Sequence, residues 1–462
     1  MRGPHNILRL IRTGATLERT GAMPVILNAL DAPRTLKFAA RFIVWPFQFL
    51  GRRGDQSLPP APRALTAMGP AYIKFGQILS TRPDVVGPEL AEQLRVLQDR
   101  LPPFSTDVAK QSFKSEIGLD ADDVFSDFSE PVAAASIAQV HRGELKDTGQ
   151  SVAIKVLRPE IERAFQKDLD TFYFAARLVE FVSPKSRRLK PMDVIAHFDG
   201  VVRGELDLRL ESASASEFLA NIKEDKGFSV PSVNWSLSSR RVMTLDWADG
   251  VPMGDVDALA AAGHNLSELG DRVLHMFLNH ALRDGFFHAD MHQGNLKVSS
   301  SGDIVAFDFG IMGHIDEYTR RVYAEILFGF IKRDYKRVAQ VHFEAGYVPQ
   351  DQDVDEFARA LRAVGEPIFG MDASNISMGR LLSYLFEVTE RFGMETRTEL
   401  ILLQRTMVVV EGVARSLNPQ INIWEVARPI VEGYIKSNLG PAAVLNDFCL
   451  LYTSPSPRDQ LT

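Results

Sequence analysis

The chain has 462 residues, of which 45% are hydrophobic, 24% charged and 9% aromatic. That length allows two or three structural units, and that composition excludes wholesale disorder and collagen-like or coiled-coil rods. A single cysteine excludes an internal disulfide, and with it a disulfide-stapled secreted fold. The net charge of −7 is unevenly spread: residues 1–53 hold nine Lys/Arg against two Asp/Glu, a balance of +7, so the remainder carries −14.

This basic head, read as a helical segment over 1–53, lacks the apolar core and cleavage site of a secretory signal. Its most apolar stretch, Phe38 to Leu50, is interrupted by Arg41 and Pro46 and falls short of the about eighteen apolar residues that a membrane span requires. A basic, aromatic-containing segment is compatible with lying on an anionic membrane surface, and equally with a solvated basic helix. From Leu50 to Arg63, LGRRGDQSLPPAPR concentrates Gly and Pro and reads as a linker. Ala71 to Leu97 has helical spacing broken at Arg82–Pro83, so two helices are expected.

From Ala134 the pattern changes to alternation. SIAQVHRGEL and SVAIKVL, joined by the turn-rich KDTGQ, predict a β-hairpin. Further strands are expected over Arg241–Asp246, and as a pair over Asn295–Val298 and Asp303–Phe307 joined by SSSGD. Asp316 to Lys436 reads as helices with long apolar faces. Helices, a small sheet, then a helical region predict an α+β protein in two lobes. The closing LYTSPSPRDQLT lacks periodicity, and 449–462 reads as a foreign or disordered tail outside the fold.

The strongest chemical signal is His288-Ala-Asp290-Met-His292-Gln-Gly-Asn295 followed by Asp308-Phe309-Gly310. Phosphoryl transfer from a nucleotide needs a carboxylate near the acceptor and oxygen ligands that hold magnesium against the phosphates. An Asp, an Asn five positions later, and a short hairpin ending in Asp-Phe-Gly supply that set. The plainer alternative is an Asp and an Asn tying a turn. His288 and His292 without further ligands make a weak metal pattern. Upstream, Lys155 sits in the apolar strand Val152-Ala-Ile-Lys155, where burying an ammonium is costly unless it meets phosphates or a carboxylate. An edge lysine reaching out to water is the alternative. In place of a glycine-rich phosphate loop stands Pro131-Val-Ala133-Ala134-Ala135-Ser136-Ile-Ala-Gln-Val-His141, and alanine restricts positive φ angles and close backbone approach.

With these motifs the chain resembles the UbiB-type family of atypical protein-kinase-like proteins, which includes the ADCK proteins linked to ubiquinone biosynthesis, over residues 1 to about 445. Lys74-Phe75-Gly76-Gln77 matches the family's Lys-x-Gly-Gln signature, Ala133–Ser136 its alanine-rich loop, and Glu205-Leu206-Asp207 its Glu-x-Asp motif. The resemblance implies a two-lobed protein-kinase-like fold with an N-terminal helical extension. The Lys-x-Gly-Gln motif would lie in 64–130, an N-lobe would occupy 131–250, and a mostly helical C-lobe 251–447.

It also implies roles: Lys155 on the nucleotide phosphates with Glu211 as its ion-pair partner, Asp290 as the catalytic-loop aspartate, and Asn295 and Asp308 as magnesium ligands. Lys74 would be held near the active site by Glu205 and Asp207, with Gln77 alongside in a regulatory role that blocks peptide docking. Ala133, Ala134, Ala135 and Ser136 would border ATP, and backbone near Asp246 and Trp247 would meet adenine. The strict alternation of Glu205 to Glu211 favours a strand, whereas the family places it on a helix, and the helix is expected here. Gln293 stands where the family usually has Pro, which removes a φ restraint but no ligand.

The expected function is an ATP- and magnesium-binding kinase or ATPase that supports ubiquinone biosynthesis and acts on, or is regulated by, lipid-like small molecules. Its expected place is the cytoplasmic face of the bacterial inner membrane, through an anionic lipid surface and quinone-precursor lipids. Other ubiquinone-biosynthesis enzymes are expected partners and nucleic acid is not. Bacterial relatives usually continue into a hydrophobic C-terminal anchor. The alternatives are a nucleotide-sensing scaffold without phosphoryl transfer and an aminoglycoside- or choline-type phosphotransferase, against which the Lys-x-Gly-Gln segment argues.

Overall fold

The computed structural model describes residues 5–29, 34–80, 86–97, 102–182, 191–369, 384, 388, 391–394 and 398–438. The Arg82–Pro83 step and the 449–462 tail lie outside them. The fold is the expected α+β one, divided into two compact units: residues 1–212 with 233–247, and 213–232 with 248–462. This division cuts the chain differently from the consecutive segments read from the sequence, because residues 213–232 join the second unit.

The first unit is built on an antiparallel sheet of order β1-β2-β3-β5, where β1 is Phe125–Ala134, β2 Ala138–Leu145, β3 Ser151–Leu157 and β5 Val242–Asp246. The expected hairpin is β2–β3, in register from Ala138 opposite Leu157 to Glu144 opposite Ser151. β1 begins at Phe125, six residues ahead of the expected N-lobe, and it pairs with β2 through three register irregularities. Alternation decides the faces: Val152, Ile154 and Val156 pack with Phe113, Phe125 and Leu145 in one core, which leaves Lys155 on the opposite face. Helix Thr106–Ile117 supplies Phe113, and Gly118 in the left-handed conformation ends it.

The stretch from Leu50 to Arg63 is not a loose linker. Pro60 opens helix Pro60–Met68, where its missing N–H costs nothing. The preceding turn is tied down, with Arg19 donating to the Gly51 carbonyl at 2.9 Å and Arg63 to that of Leu58 at 2.8 Å. A β-carbon on Gly51 would run into the Ala15 backbone, so only glycine permits this approach. The basic head forms helices His5–Arg19, Ala22–Ala29 and Arg34–Val44 and a 3₁₀ turn Trp45–Leu50. Ala15, Met23 and Val44 make its small core. It also docks on the rest of the first unit: Thr13 meets the Tyr72 hydroxyl at 2.9 Å, and Arg9 donates to the Lys167 carbonyl.

The second unit is mainly helical. It carries a small sheet of order β4-β9-β8-β6, comprising β4 Phe228–Ser229, β6 Val251–Pro252, β8 Leu296–Val298 and β9 Ile304–Ala306, together with the ribbon of β7 Phe286–His288 and β10 Met312–His314. β8 and β9 are the expected pair across SSSGD, with Gly302 at φ 87° in the turn. The expected helices from Asp316 onward are Glu317–Lys332, Tyr335–Glu344, Val354–Phe369, Thr398–Leu417 and Ile423–Asn438. Asp316 caps the first by accepting from the Thr319 N–H at 2.7 Å. Gly270 lets helix Leu266–Asn279 press against helix Thr398–Leu417, since a β-carbon there would meet the Ala414 carbonyl at 2.9 Å.

Candidate active site

In the first unit Lys155 meets a carboxylate, as an ammonium on an apolar strand requires. Its Nζ donates to both Glu211 oxygens, at 2.6 and 2.8 Å, and only 10% of the Glu211 side chain and 21% of the Lys155 side chain remain exposed. Glu211 lies in the first turn of helix Leu208–Asn221, where the helix dipole favours a carboxylate. Glu205 closes the preceding helix, Pro191–Glu205, and Leu206-Asp207 separates the two. The Glu-x-Asp motif therefore straddles a break between helices, rather than riding on one helix or one strand.

That break divides the expected pair of carboxylates. Glu205 holds Lys74 at 2.7 Å with both side chains largely buried. Asp207 turns instead to Arg209 at 2.6 Å, and that guanidinium holds its carboxyl below the usual range. Lys74, Gly76 and the half-buried Gln77 lie on helix Pro70–Ser80, and Phe75 of the same helix stacks on Phe172 and meets Phe198 edge-on. Glycine at 76 is required by packing, because a β-carbon would overlap Leu65 and Leu97.

The alanine-rich loop is the β1–β2 turn. Ala133 and Ala134 end β1, Ala135 to Ile137 make the connection, and none of the three alanines has a positive φ. Two features here had no sequence signal of their own. Arg158 donates through Nε and Nη2 to the Ala135 carbonyl at 3.0 and 2.8 Å, while its N–H bonds the Ile137 carbonyl. Below the loop, buried Gln139 bridges both backbone groups of Phe104 and donates to His141, whose other ring nitrogen donates to the Ser129 carbonyl. Burial lowers the His141 pKa. Ser136 is fully buried, and its Oγ has no partner among the described residues.

Near Asp246 and Trp247, where an adenine contact is expected, one backbone group is tied into the sheet. The Trp247 N–H donates to the Ser151 carbonyl at 3.0 Å, so that amide is spent on the sheet. The Trp247 ring lies beneath the Arg142 guanidinium at 5.1 Å, and the Asp246 carboxylate accepts from Gln150.

In the second unit, pairing of β7 with β10 sets Met312 opposite His288, which brings the Asp308-Phe-Gly loop beside the 289–295 loop. Ala289 donates to the Ile311 carbonyl at 3.0 Å and ties the two loops together. His288 is buried, its Nδ1 accepts the Asp290 N–H at 3.1 Å, and desolvation lowers its pKa against the raising influence of Asp308 and Asp290. Asn295 donates to the Asp290 carbonyl at 3.0 Å and reaches its carboxylate at 3.4 Å. The Asp308 carboxylate caps its own turn by accepting from Gly310, and Phe309 is buried against Phe218 and His288. His292 caps the 3₁₀ turn Gln293–Asn295 through the Gly294 N–H. Among the described residues no cluster of three or more His, Cys, Asp or Glu forms a metal cage. An amide oxygen and a carboxylate nevertheless fit magnesium, which keeps most of its waters and takes the rest of its shell from phosphates.

Two further grips on this loop come from helix Thr398–Leu417. The buried Thr406 hydroxyl donates to the Ala289 carbonyl at 3.1 Å and to that of Leu402 at 2.8 Å. Gln293 donates to Ser416 Oγ at 2.7 Å. This bond anchors the Gln293 side chain to the helix, without the φ restraint that a proline ring would impose.

Residues 96–342 match the ABC1 atypical kinase-like domain, and residues 361–422 match the UbiB helical domain. The chain is 41% identical to a probable protein kinase UbiB of Aliivibrio fischeri over 82% of its own length and 71% of that protein. It is also 41% identical to one of Aeromonas hydrophila over 88% and 77%. The solved structure of an Rv3197–erythromycin complex from Mycobacterium tuberculosis superposes with a TM-score of 0.56 at 23% identity, covering 78% of this chain and 91% of that one, which supports the fold. The chain belongs to the UbiB family of ABC1-type atypical kinase-like proteins.

Proposed function

We propose that this chain binds ATP with magnesium and transfers the terminal phosphoryl group, to water or to a small lipid-like acceptor, in support of ubiquinone biosynthesis at a membrane surface. The observation that carries the reading is the bidentate Lys155–Glu211 pair, which holds the ammonium of β3 in one pose, as a phosphate-contacting lysine would need. Asn295 and Asp308 would hold magnesium, which neutralises charge on the phosphates when bound. Asp290 would orient the attacking hydroxyl and accept its proton, with its backbone fixed by His288 and Asn295. Held by Glu205, Lys74 supports a site that serves a small acceptor or water rather than a peptide.

ATP turnover with magnesium tests this reading. Asp308→Asn should abolish turnover while the fold persists; unchanged turnover would sink the assignment. The scaffold alternative draws on the alanine-rich loop, which is braced without positive φ. It predicts that Asp290→Asn rescues a quinone-deficient strain, whereas the catalytic reading predicts loss of rescue with ATP binding retained.

A further inference from the structure

The basic head carries a surface that the small core of Ala15, Met23 and Val44 does not use. Helix Arg34–Val44 and the 3₁₀ turn after it turn Val44 inward. On the outside, Phe38 and Phe42 lie one turn apart on the helix, and Trp45 and Phe49 continue the apolar stripe into the 3₁₀ turn. They are 74%, 68%, 68% and 74% exposed, and neighbouring Ile43 is 63% exposed. Phe38 and Phe42 stack on each other, with ring centroids 6.3 Å apart, rather than on the body. Together these side chains expose on the order of 700 Å² of apolar surface, above the few hundred usual for a soluble monomer.

The charge around the stripe identifies what covers it. Residues 34–53 contain Arg34, Lys37, Arg41, Arg52 and Arg53 and no acidic residue, although the chain as a whole is acidic. Arg41 is paired with Glu18 at 2.9 Å; aromatic rings, a tryptophan among them, beside the remaining cations are complementary to the interface of an anionic bilayer, where rings sit at headgroup level and cations meet phosphates. An interface with another protein would more readily mix both signs around its apolar centre. No described helix is long and apolar enough to cross a membrane, so this contact is an interfacial one.

We infer that the stripe Phe38, Phe42, Trp45 and Phe49, with Arg34 and Lys37 beside it, is a docking surface for an anionic lipid bilayer. The inference deepens the membrane part of the function proposed above and uses none of the catalytic assignments. Its test therefore runs without nucleotide and fails or succeeds independently of ATP turnover.

The full chain is mixed with vesicles of phosphatidylcholine alone or of phosphatidylcholine with phosphatidylglycerol, and bound protein is measured by co-sedimentation. Binding should favour the anionic vesicles and weaken with salt. Phe42→Ser and Trp45→Ser should each lower partitioning about tenfold, and the Arg34→Gln/Lys37→Gln pair should lower it at least about fivefold on anionic vesicles only. Because these side chains are exposed, thermal unfolding should be unchanged in all three. As a second readout, brominated lipid should quench the emission of the wild type, and that quenching should disappear in Trp45→Phe. Absence of binding by the wild type would overturn the proposal. So would binding that the stripe variants leave intact, or a dimer that Trp45→Ser converts to monomer, which would make this face an interface between copies of the chain.

Discussion

The Lys155–Glu211 pair lends itself to a double-mutant cycle. Glu211→Gln leaves an ammonium facing a neutral amide, and Lys155→Met leaves a carboxylate that is nine-tenths buried. Two charge-assisted hydrogen bonds of 2.6 and 2.8 Å join the groups. Breaking a fully buried pair costs about 3–5 kcal/mol, but a fifth of the Lys155 side chain is in water, so about 2 kcal/mol is the expected loss for each single change. The double variant leaves neither charge behind and should cost about 2 kcal/mol less than the sum of the singles. Urea unfolding followed by tryptophan emission suits the measurement, since Trp45, Trp235 and Trp247 lie in the unit that holds the pair and only Trp424 lies in the other. Additivity of the two single losses to within about 0.5 kcal/mol would refute the pair as a coupled unit. ATP affinity supplies the functional counterpart: both singles should weaken it, and the double, about as stable as either single, should not recover it.

Thr406→Val should lower ATP turnover about tenfold with little change in the KM for ATP, because the Ala289 carbonyl loses its donor, and Thr406→Ser should restore it. Equal rates in the valine and serine variants would remove Thr406 from the positioning of the loop. Arg158→Lys keeps the charge but loses the two-pronged contact with the Ala135 carbonyl, so the dissociation constant for ATP should rise several-fold by calorimetry, and an unchanged constant would refute the brace. Burial holds the His342 pKa down to about 4, against an ordinary 6.5, so the unfolded chain takes up a proton that the folded one refuses as pH falls. Stability should be flat above pH 6.5 and fall by about 2 kcal/mol on going to pH 5, and the part due to this side chain should be missing from His342→Phe in paired urea titrations.

How far the sequence foretold this structure depends on whether a pattern was local. The β2–β3 hairpin was legible because Val152, Ile154 and Val156 alternate cleanly into one core. β1 was not, because Pro131 and the register irregularities break its period, so FSDFSEPVAA has no clean inward face. β7 and β10 are as short as β8 and β9 but, unlike that pair, have no turn joining them to announce the pairing. Alternation misled over Glu205 to Glu211, where the real feature is a helix end, a two-residue break and a new helix start. The loops bearing Asp290, Asn295 and Asp308 were readable because their chemistry is written in spacing. The roles of Lys74, Glu205 and Glu211 came from likeness to a family, and the structure adds that Asp207 turns to Arg209. Arg158, Thr406 and Ser416 act from outside the motifs, Thr406 across 117 residues and Ser416 across 123, and distance along the chain leaves no periodic trace.

Those last contacts bear on how the protein can be taken apart. The loop with Asp290 lies within 96–342, whereas the hydroxyls that grip it at Ala289 and Gln293 lie within 361–422. The border between the two family segments therefore does not separate two self-sufficient parts. A kinase-like segment cut free at that border would keep Asp290, Asn295 and Asp308 and lose the fixings of the loop that bears the first two. Exchange of helical segments between relatives is constrained accordingly: a donor segment must bring hydroxyls in register with Ala289 and Gln293, and a recipient with proline at position 293 would place only half of that demand on it.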